Sequence, residues 1–312
     1  MKRGAVLCAS GIGDGLLMMI AAHHLKKCGY SVTIFHNVGK ELSLLFEGAE
    51  FLPHPPLEAL ENTLKSFDRI LVENDHSARA YYLFNLRDNL PQLAFFFPTP
   101  SSQMLERDYL FNPEIPVATN LSEGCKKLLG TSPSKANDLP LPQEKSYRKY
   151  PQRIVIHPTS NDRKRNWFQR QFLKLADALT KEGYEVVFCV GPSERKEWEN
   201  LENVPSFQNL KEVAHFIYES GYFIGNDSGI GHLASNLGIP TLTISGNPKR
   251  VRLWRPDWAL GEVVTLPFPL PNFKGIHLPI RENFWQHFIS VRRTLKAFKK
   301  LTNGYESCSH LL

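Results

Sequence analysis

The chain has 312 residues, and 37 Lys+Arg against 31 Asp+Glu give a formal charge of +6. A hydrophobic share of 42% and a charged share of 22% exclude a disordered or collagen-like chain. No apolar run reaches the ~18 residues of a membrane-spanning helix, and ~100–200 residues per domain predicts two domains. The basic balance favours anionic partners, such as a nucleotide or a phosphorylated surface, beside the plainer alternative of a solvated basic exterior. Cys8, Cys28, Cys125, Cys189 and Cys308 are scattered and form no CxxC pair. That argues against a disulfide framework or structural zinc, and for a reducing cytoplasm. Met1-Lys2-Arg3 before apolar residues imitates a signal peptide, but Gly11, Gly13, Asp14 and Gly15 interrupt the apolar segment, so a mature N-terminus is expected.

In chain order, the hydrophobic pattern predicts a buried strand over 5–9, a helix over 16–27, and strands over 31–35, 69–73 and 92–97. Strands separated by helical patterns imply βαβ crossovers and parallel sheets. Residues 98–150 turn polar and carry Pro113, Pro116, Pro133, Pro140 and Pro142, which reads as a linker region. The pattern then restarts with strands over 153–157, 185–190, 222–225 and 240–245. Helices are expected over 168–182, closed by Gly183, over 210–220, and over 229–237, closed by Gly238. The expected division is an N-terminal Rossmann-like domain over 1–150, a C-terminal one over 151–285, and a terminal helix and tail over 286–312. For that last segment, packing back toward the N-terminal domain is one arrangement. Phe284, Phe288, Val291, Leu295 and Phe298 recur at helical spacing as one apolar stripe. Arg292, Arg293, Lys296, Lys299 and Lys300 supply a basic face with a capacity to attract anionic lipid headgroups.

Three strings carry chemistry. The first is Ser10-Gly11-Ile12-Gly13-Asp14-Gly15, a glycine loop after a strand in which a carboxylate replaces the spot a pyrophosphate would occupy. Asp14 therefore reads as a helix cap or a general base. The second is His157-Pro158-Thr159-Ser160, followed by Arg163-Lys164-Arg165 and Trp167. Its hydroxyls, cations and ring suit an anionic ligand with a flat or sugar-like part, or a merely solvated basic loop. The third is Asn226-Asp227-Ser228-Gly229-Ile230-Gly231-His232, where small residues expose a helix N-terminus able to hold a diphosphate. Asp227 caps that helix or holds sugar hydroxyls, and His232 lies one turn on.

The string Asp227-Ser228-Gly229-x-x-His232-Leu233-Ala234, with Gly238-Ile239-Pro240-Thr241 and Ser245-Gly246-Asn247-Pro248, resembles the donor signature of glycosyltransferase family 9, the lipopolysaccharide heptosyltransferases. The Gly13-Asp14 pair and the His157-to-Trp167 segment resemble that family's other two motifs. The resemblance implies a GT-B fold: α/β, two Rossmann-like domains whose parallel sheets face across a cleft. It implies an inverting transfer of a sugar, heptose from ADP-heptose, onto a lipopolysaccharide core acceptor. Asp14 would be the catalytic base. Thr159, Ser160, a cation at Lys164 or Arg165, and Asp227, Ser228, Gly229 and His232 would bind the donor, with Glu194 at the nucleoside. Ser10, Gly13 and Arg79 stand as acceptor-side residues. The chain departs from the family in placing Arg165 where lysine is usual, and Ala21 and Ala22 where a proline is common.

No DxD string ends a strand, so no obligatory metal and no further cofactor is expected. The expected partners are a nucleotide sugar and a lipid-linked saccharide, with peripheral contact to an anionic membrane surface and no nucleic acid. The expected location is the cytoplasm, peripheral on the inner face of the membrane. Two other readings remain: a GT-B-like nucleotide-sugar epimerase, and a non-catalytic polyanion- or lipopolysaccharide-binding protein.

Overall fold

A computed structural model describes residues 1–192, 194–198, 203–266 and 284–309. The chain divides into two compact units, Met1–Pro140 and Leu141–Leu312. The first comprises β1 (Lys2–Leu7), α1 (Ile12–Lys27), β2 (Tyr30–Phe35), α2 (Gly39–Ser43), β3 (Glu50–Leu52) and α3 (Leu57–Leu64). It continues with β4 (Arg69–Glu73), α4 (Ala78–Asn85), β5 (Leu93–Phe97), β6 (Tyr109–Leu110) and α5 (Val117–Leu129). The sheet order is β3-β2-β1-β4-β5-β6, and every pairing is parallel. Ala5, Leu7, Ile70 and Val72 pack with Phe35, Phe95 and Phe97 in one cluster, while Val6 and Leu71 are buried on the other face. Helices cover both faces of such a sheet, which is why its strands read as unbroken apolar runs. The order reverses between β1 and β4, and open α/β sheets bind ligands at the carboxyl ends flanking that point.

Residues 98–140, where composition predicts a linker, hold β6 and α5 and stay with the first unit. Pro116 is the N-cap of α5, so the prolines here start a helix instead of interrupting one. Beyond α5 the chain lies along α1. His24 contacts Thr131 Oγ1 at 2.6 Å and the Ser134 carbonyl at 2.9 Å, and Asn137 Nδ2 donates to the Leu16 carbonyl at 3.0 Å.

The second unit comprises β7 (Tyr150–His157), α6 (Gln169–Lys181), β8 (Glu185–Phe188), α7 (Leu210–Tyr218), β9 (Ser220–Asn226) and α8 (Gly229–Asn236). Then come β10 (Thr241–Ile244), α9 (Pro248–Trp254), β11 (Gly261–Val264) and α10 (Val291–Ser309). Its parallel sheet runs β11-β10-β9-β7-β8. The predicted stops after α6 and α8 are realised, with Gly183 at φ +91 and Gly238 at φ +82, a region that favours glycine. The order reverses between β7 and β9, so the loops after His157 and Asn226 lie side by side.

The terminal stripe needs correction. Phe284 and Phe288 are 49% and 40% exposed and lie outside α10. The helix starts only after Ser290, whose Oγ accepts from Arg293 N at 3.3 Å as an N-cap. Val291, Leu295, Phe298 and Leu301 do pack into the core of the second sheet. Of the basic residues, Lys299 is tied to Glu182 at 2.9 Å and Lys300 to Glu262 at 2.8 Å. Among the described residues no helix is long and apolar enough to cross a membrane.

Candidate functional site

In the first unit the loop from Cys8 to Gly11 follows β1 at the reversal point and leads into α1. Asp14 is the third residue of α1, and its Oδ2 accepts from Gly11 N at 2.8 Å, the reciprocal half of a capping box. The cap role is therefore realised, whatever else the carboxylate does. Ala9 N and the Cys8 and Gly11 carbonyls are held by side chains from four separate segments. Glu73 Oε2, at the end of β4, accepts from Ala9 N at 2.9 Å. Arg79 Nη2, on α4, donates to the Cys8 carbonyl at 3.1 Å and to Asp75 at 2.9 Å. His54 Nε2 donates to the same carbonyl at 3.0 Å, and His36 Nε2 donates to the Gly11 carbonyl at 3.0 Å.

Both histidines are neutral at pH 7. Burial pulls His36 below its ordinary value, and burial with the Arg79 charge pulls His54 down to about 4. His36 Nδ1 accepts from Val38 N, which fixes the proton on Nε2. Glu73 moves the other way. Burial, then the charges of Asp14 and Asp75, raise it well above the usual carboxylate range, against the Ala9 hydrogen bond and Arg79. Of the sequence candidates, Ser10 is exposed, Gly13 is buried in the first turn of α1, and Arg79 braces the loop. Glu73, His36 and His54 were not nominated from sequence. The only signal for Glu73 is an acid ending the apolar run Arg-Ile-Leu-Val-Glu.

In the second unit Asn226 ties the two loops together. Its Oδ1 accepts from Trp167 N at 2.9 Å and its Nδ2 donates to the Pro158 carbonyl at 2.6 Å. Thr159 Oγ1 donates to Glu194 Oε2 at 2.8 Å, and Gly191 N donates to the same oxygen at 3.1 Å, so this predicted pair is brought together. Ser160 Oγ is held within the loop, 2.7 Å from Asn166 Oδ1 and 2.9 Å from the Asp162 carbonyl.

The three consecutive cations separate. Arg163 turns outward to Glu197, Lys164 is exposed, and Arg165 bonds Asn161 and brings Nη1 to 3.6 Å from Asp227 Oδ2. Of Lys164 and Arg165, Arg165 is the one placed beside Asp227. The expectation that Trp167 offers its ring to a ligand is overturned. The residue is 2% exposed, packs edge-on against Phe172, and donates Nε1–H to the Ile289 carbonyl.

Asp227 and His232 are buried, and Ser228 is the N-cap of α8. The first two amides of α8, at Gly229 and Ile230, have no intrahelical acceptor by geometry and carry the positive end of the helix dipole. The Ser228 side chain makes no cap hydrogen bond, and its Oγ is buried without a partner. His232 is held neutral chiefly by burial. It bonds the Trp254 backbone, and since its buried Nδ1 has no partner, Nε2–H is the donor and Nδ1 a vacant acceptor. Two arginines meet Asp227, because Arg250 from α9 also reaches Oδ2, through Nε at 2.9 Å. Among the described residues no three His, Cys, Asp or Glu side chains are grouped to hold a metal ion.

Residues 125–264 match the family model described as glycosyltransferase family 9 (heptosyltransferase). Lipopolysaccharide heptosyltransferase 3 of Escherichia coli (strain K12) is 30% identical over 114 residues, 33% of this chain and 33% of that protein. The chain thus spans about a third of the length of the curated relatives it matches. A solved structure of E. coli heptosyltransferase WaaC with ADP superimposes with a TM-score of 0.65 at 15% identity, covering 96% of this chain and 99% of that one. The family 9 glycosyltransferase of Veillonella parvula DSM 2008 gives 0.69 at 19% identity, covering 96% and 97%. At these identities the likeness shows the fold, α/β with two parallel sheets of the GT-B type. The stretch that matches the glycosyltransferase family 9 (heptosyltransferase) model, residues 125–264, carries both the Asp227–His232 turn and the loop before Trp167.

Proposed function

We propose that this chain transfers a heptosyl group from ADP-heptose to a lipopolysaccharide core acceptor with inversion at the anomeric carbon. The observation that carries the reading is the Asp227–His232 turn: a helix N-terminus whose first amides lack an intrahelical acceptor, a buried unpartnered hydroxyl at Ser228, and two arginines on one carboxylate. That set suits a nucleoside diphosphate, and the structural neighbour WaaC is described with ADP. The donor side comprises Thr159, Ser160, Arg165, Asp227, Ser228, Gly229 and His232, with Glu194 at the nucleoside and Lys164 at the rim.

In the reaction, the acceptor hydroxyl oxygen bonds to the anomeric carbon as the bond from that carbon to the diphosphate oxygen breaks. Asp14 takes the hydroxyl proton, and ADP leaves with its negative charge facing Arg165 and the amides of α8. Loop rigidity supports the base assignment, since side chains of His36, His54, Glu73 and Arg79 hold the backbone on which Asp14 is mounted. Ser10, Gly13 and Arg79 belong to the acceptor side. We place the reaction at the cytoplasmic face of a membrane, where exposed Arg292 and Lys296 of α10 favour contact with anionic lipid.

The test is ADP release from ADP-heptose in the presence of a heptose-deficient lipopolysaccharide core, with the product's anomeric configuration read by NMR. Turnover that needs both substrates, with inversion, is expected. A new free nucleotide sugar formed without acceptor would establish an epimerase instead. Acceptor binding with no ADP release would establish a binding protein.

A further inference from the structure

Asp227 Oδ2 receives two guanidinium groups, Arg250 Nε at 2.9 Å and Arg165 Nη1 at 3.6 Å. Two cations on one carboxylate leave the trio with a formal charge of +1 beside the N-terminus of α8. Asp227 is fixed: its side chain is 7% exposed. Arg250 is anchored at its root and open at its tip. Its backbone N donates to Asn247 Oδ1 at 3.0 Å in the cap of α9, where Pro248 sets the first turn. Its guanidinium lies over the Trp254 ring, 5.5 Å from the centroid, yet the side chain is 42% exposed.

A second observation points to a ligand at the same spot. The 5%-exposed His232 keeps a buried Nδ1 with no partner, and Ser228 Oγ is likewise unpartnered. A hydroxyl can donate to a phosphate oxygen, while a lone imidazole nitrogen can accept from a sugar hydroxyl.

We propose that Arg250 is a second phosphate-binding cation of this site, which exchanges its Asp227 contact for an oxygen of the incoming nucleoside diphosphate while Arg165 stays with the carboxylate. The exchange is favoured because the diphosphate carries more negative charge than one carboxylate, and guanidinium geometry suits both. The inference rests on the donor-site reading, and it assigns a residue from α9, outside the Asp227–Ala234 string. It gives the metal-free neutralisation of the leaving group a second positive charge.

The test is calorimetric binding of ADP and of adenosine to the full chain and to Arg250→Gln and Arg250→Lys, with melting curves to confirm folding. ADP affinity is expected to fall about 10- to 100-fold in Arg250→Gln, the range of one hydrogen bond to a charged group, and less in Arg250→Lys. Adenosine affinity is expected to stay unchanged. The same Gln substitution is then made in an Asp227→Asn background. If Arg250 touches phosphate, it still costs ADP affinity there. If Arg250 only neutralises Asp227, it costs nothing there, and the assignment is overturned. Equal ADP affinity in wild type and Arg250→Gln overturns it as well, leaving the donor-site reading intact. A wild-type chain that binds neither ADP nor adenosine overturns the donor-site reading itself.

Discussion

A pair of substitutions separates the cap that Asp14 forms from the base role proposed for it. Its Oδ2 accepts from Gly11 N at 2.8 Å, and its charge sits in the first turn of α1. Asp14→Ala removes both, and such a cap is worth ~0.5–2 kcal/mol with ~0.3–1 kcal/mol more from the helix dipole. At ~2–4 °C per kcal/mol, melting of the first unit is expected to drop by several degrees. Asp14→Asn keeps an oxygen that can accept from Gly11 N and loses only the charge, so its melting is expected to stay within a few degrees of wild type. Activity should not follow stability. Neither Ala nor Asn can take a proton from the acceptor hydroxyl, and a positioned base contributes ~10²–10⁴-fold. Both variants are therefore expected to lose at least about 100-fold in ADP release, despite their different melting. The assays are scanning fluorimetry and acceptor-dependent ADP release at saturating donor. An Asp14→Asn protein that keeps a tenth of wild-type turnover would reduce Asp14 to a cap and refute the base assignment.

Glu73 carries a pH signature. Its raised folded value means that, as pH climbs past the ordinary 4.5, the native chain retains a proton the unfolded chain has lost. Stability therefore declines through that window. A glutamine at this position cannot ionise but can still accept from Ala9 N, so the Glu73→Gln variant should gain on wild type as pH rises above 4.5. A stability difference that stays flat from pH 4 to 8 would contradict this. Asn226→Ala leaves the Trp167 amide and the Pro158 carbonyl without their buried partner. At ~1–3 kcal/mol for each stranded group, a loss of about 2–6 kcal/mol is expected in urea denaturation of the second unit. A loss below about 0.5 kcal/mol would show that water replaces both bonds. EDTA should leave turnover intact, because the proposed mechanism offsets the departing charge with Arg165, Arg250 and the α8 amides. Loss of activity that Mg²⁺ restores would overturn the metal-free mechanism.

What the sequence discloses depends on how each feature is enforced. β1, β4 and β7 are readable because helices cover them on both faces and demand apolar residues at every central position. β3 and β6 escape because edge strands of three and two residues are half in solvent and carry no period. α5 escapes because Pro113 and Pro116 look like linker punctuation, when Pro116 is its N-cap. Its buried face also includes Asn120 and Ser122, which a hydrophobic pattern does not count. The apolar stripe overshoots at Phe284 and Phe288, since spacing alone does not register the cap at Ser290.

The same logic divides the candidate site. The turn from Asp227 to His232 is legible because a helix N-terminus open to a ligand needs small residues in its first turn, and Ser228, Gly229 and Gly231 supply them within four positions. The side chains that complete it are not. Arg250 stands beside Lys249 and Arg252 on a short basic helix capped by Arg255, and no periodicity marks it out as meeting Asp227. Glu73, His36 and His54 converge on a single loop from three elements, and convergence is a property of the sheet order β3-β2-β1-β4, not of any local string. Motifs thus mark where backbone approaches a ligand. The charges that tune such a site come from neighbours that only the strand order brings together, so substitutions at Arg250 and Glu73 probe what the motifs omit.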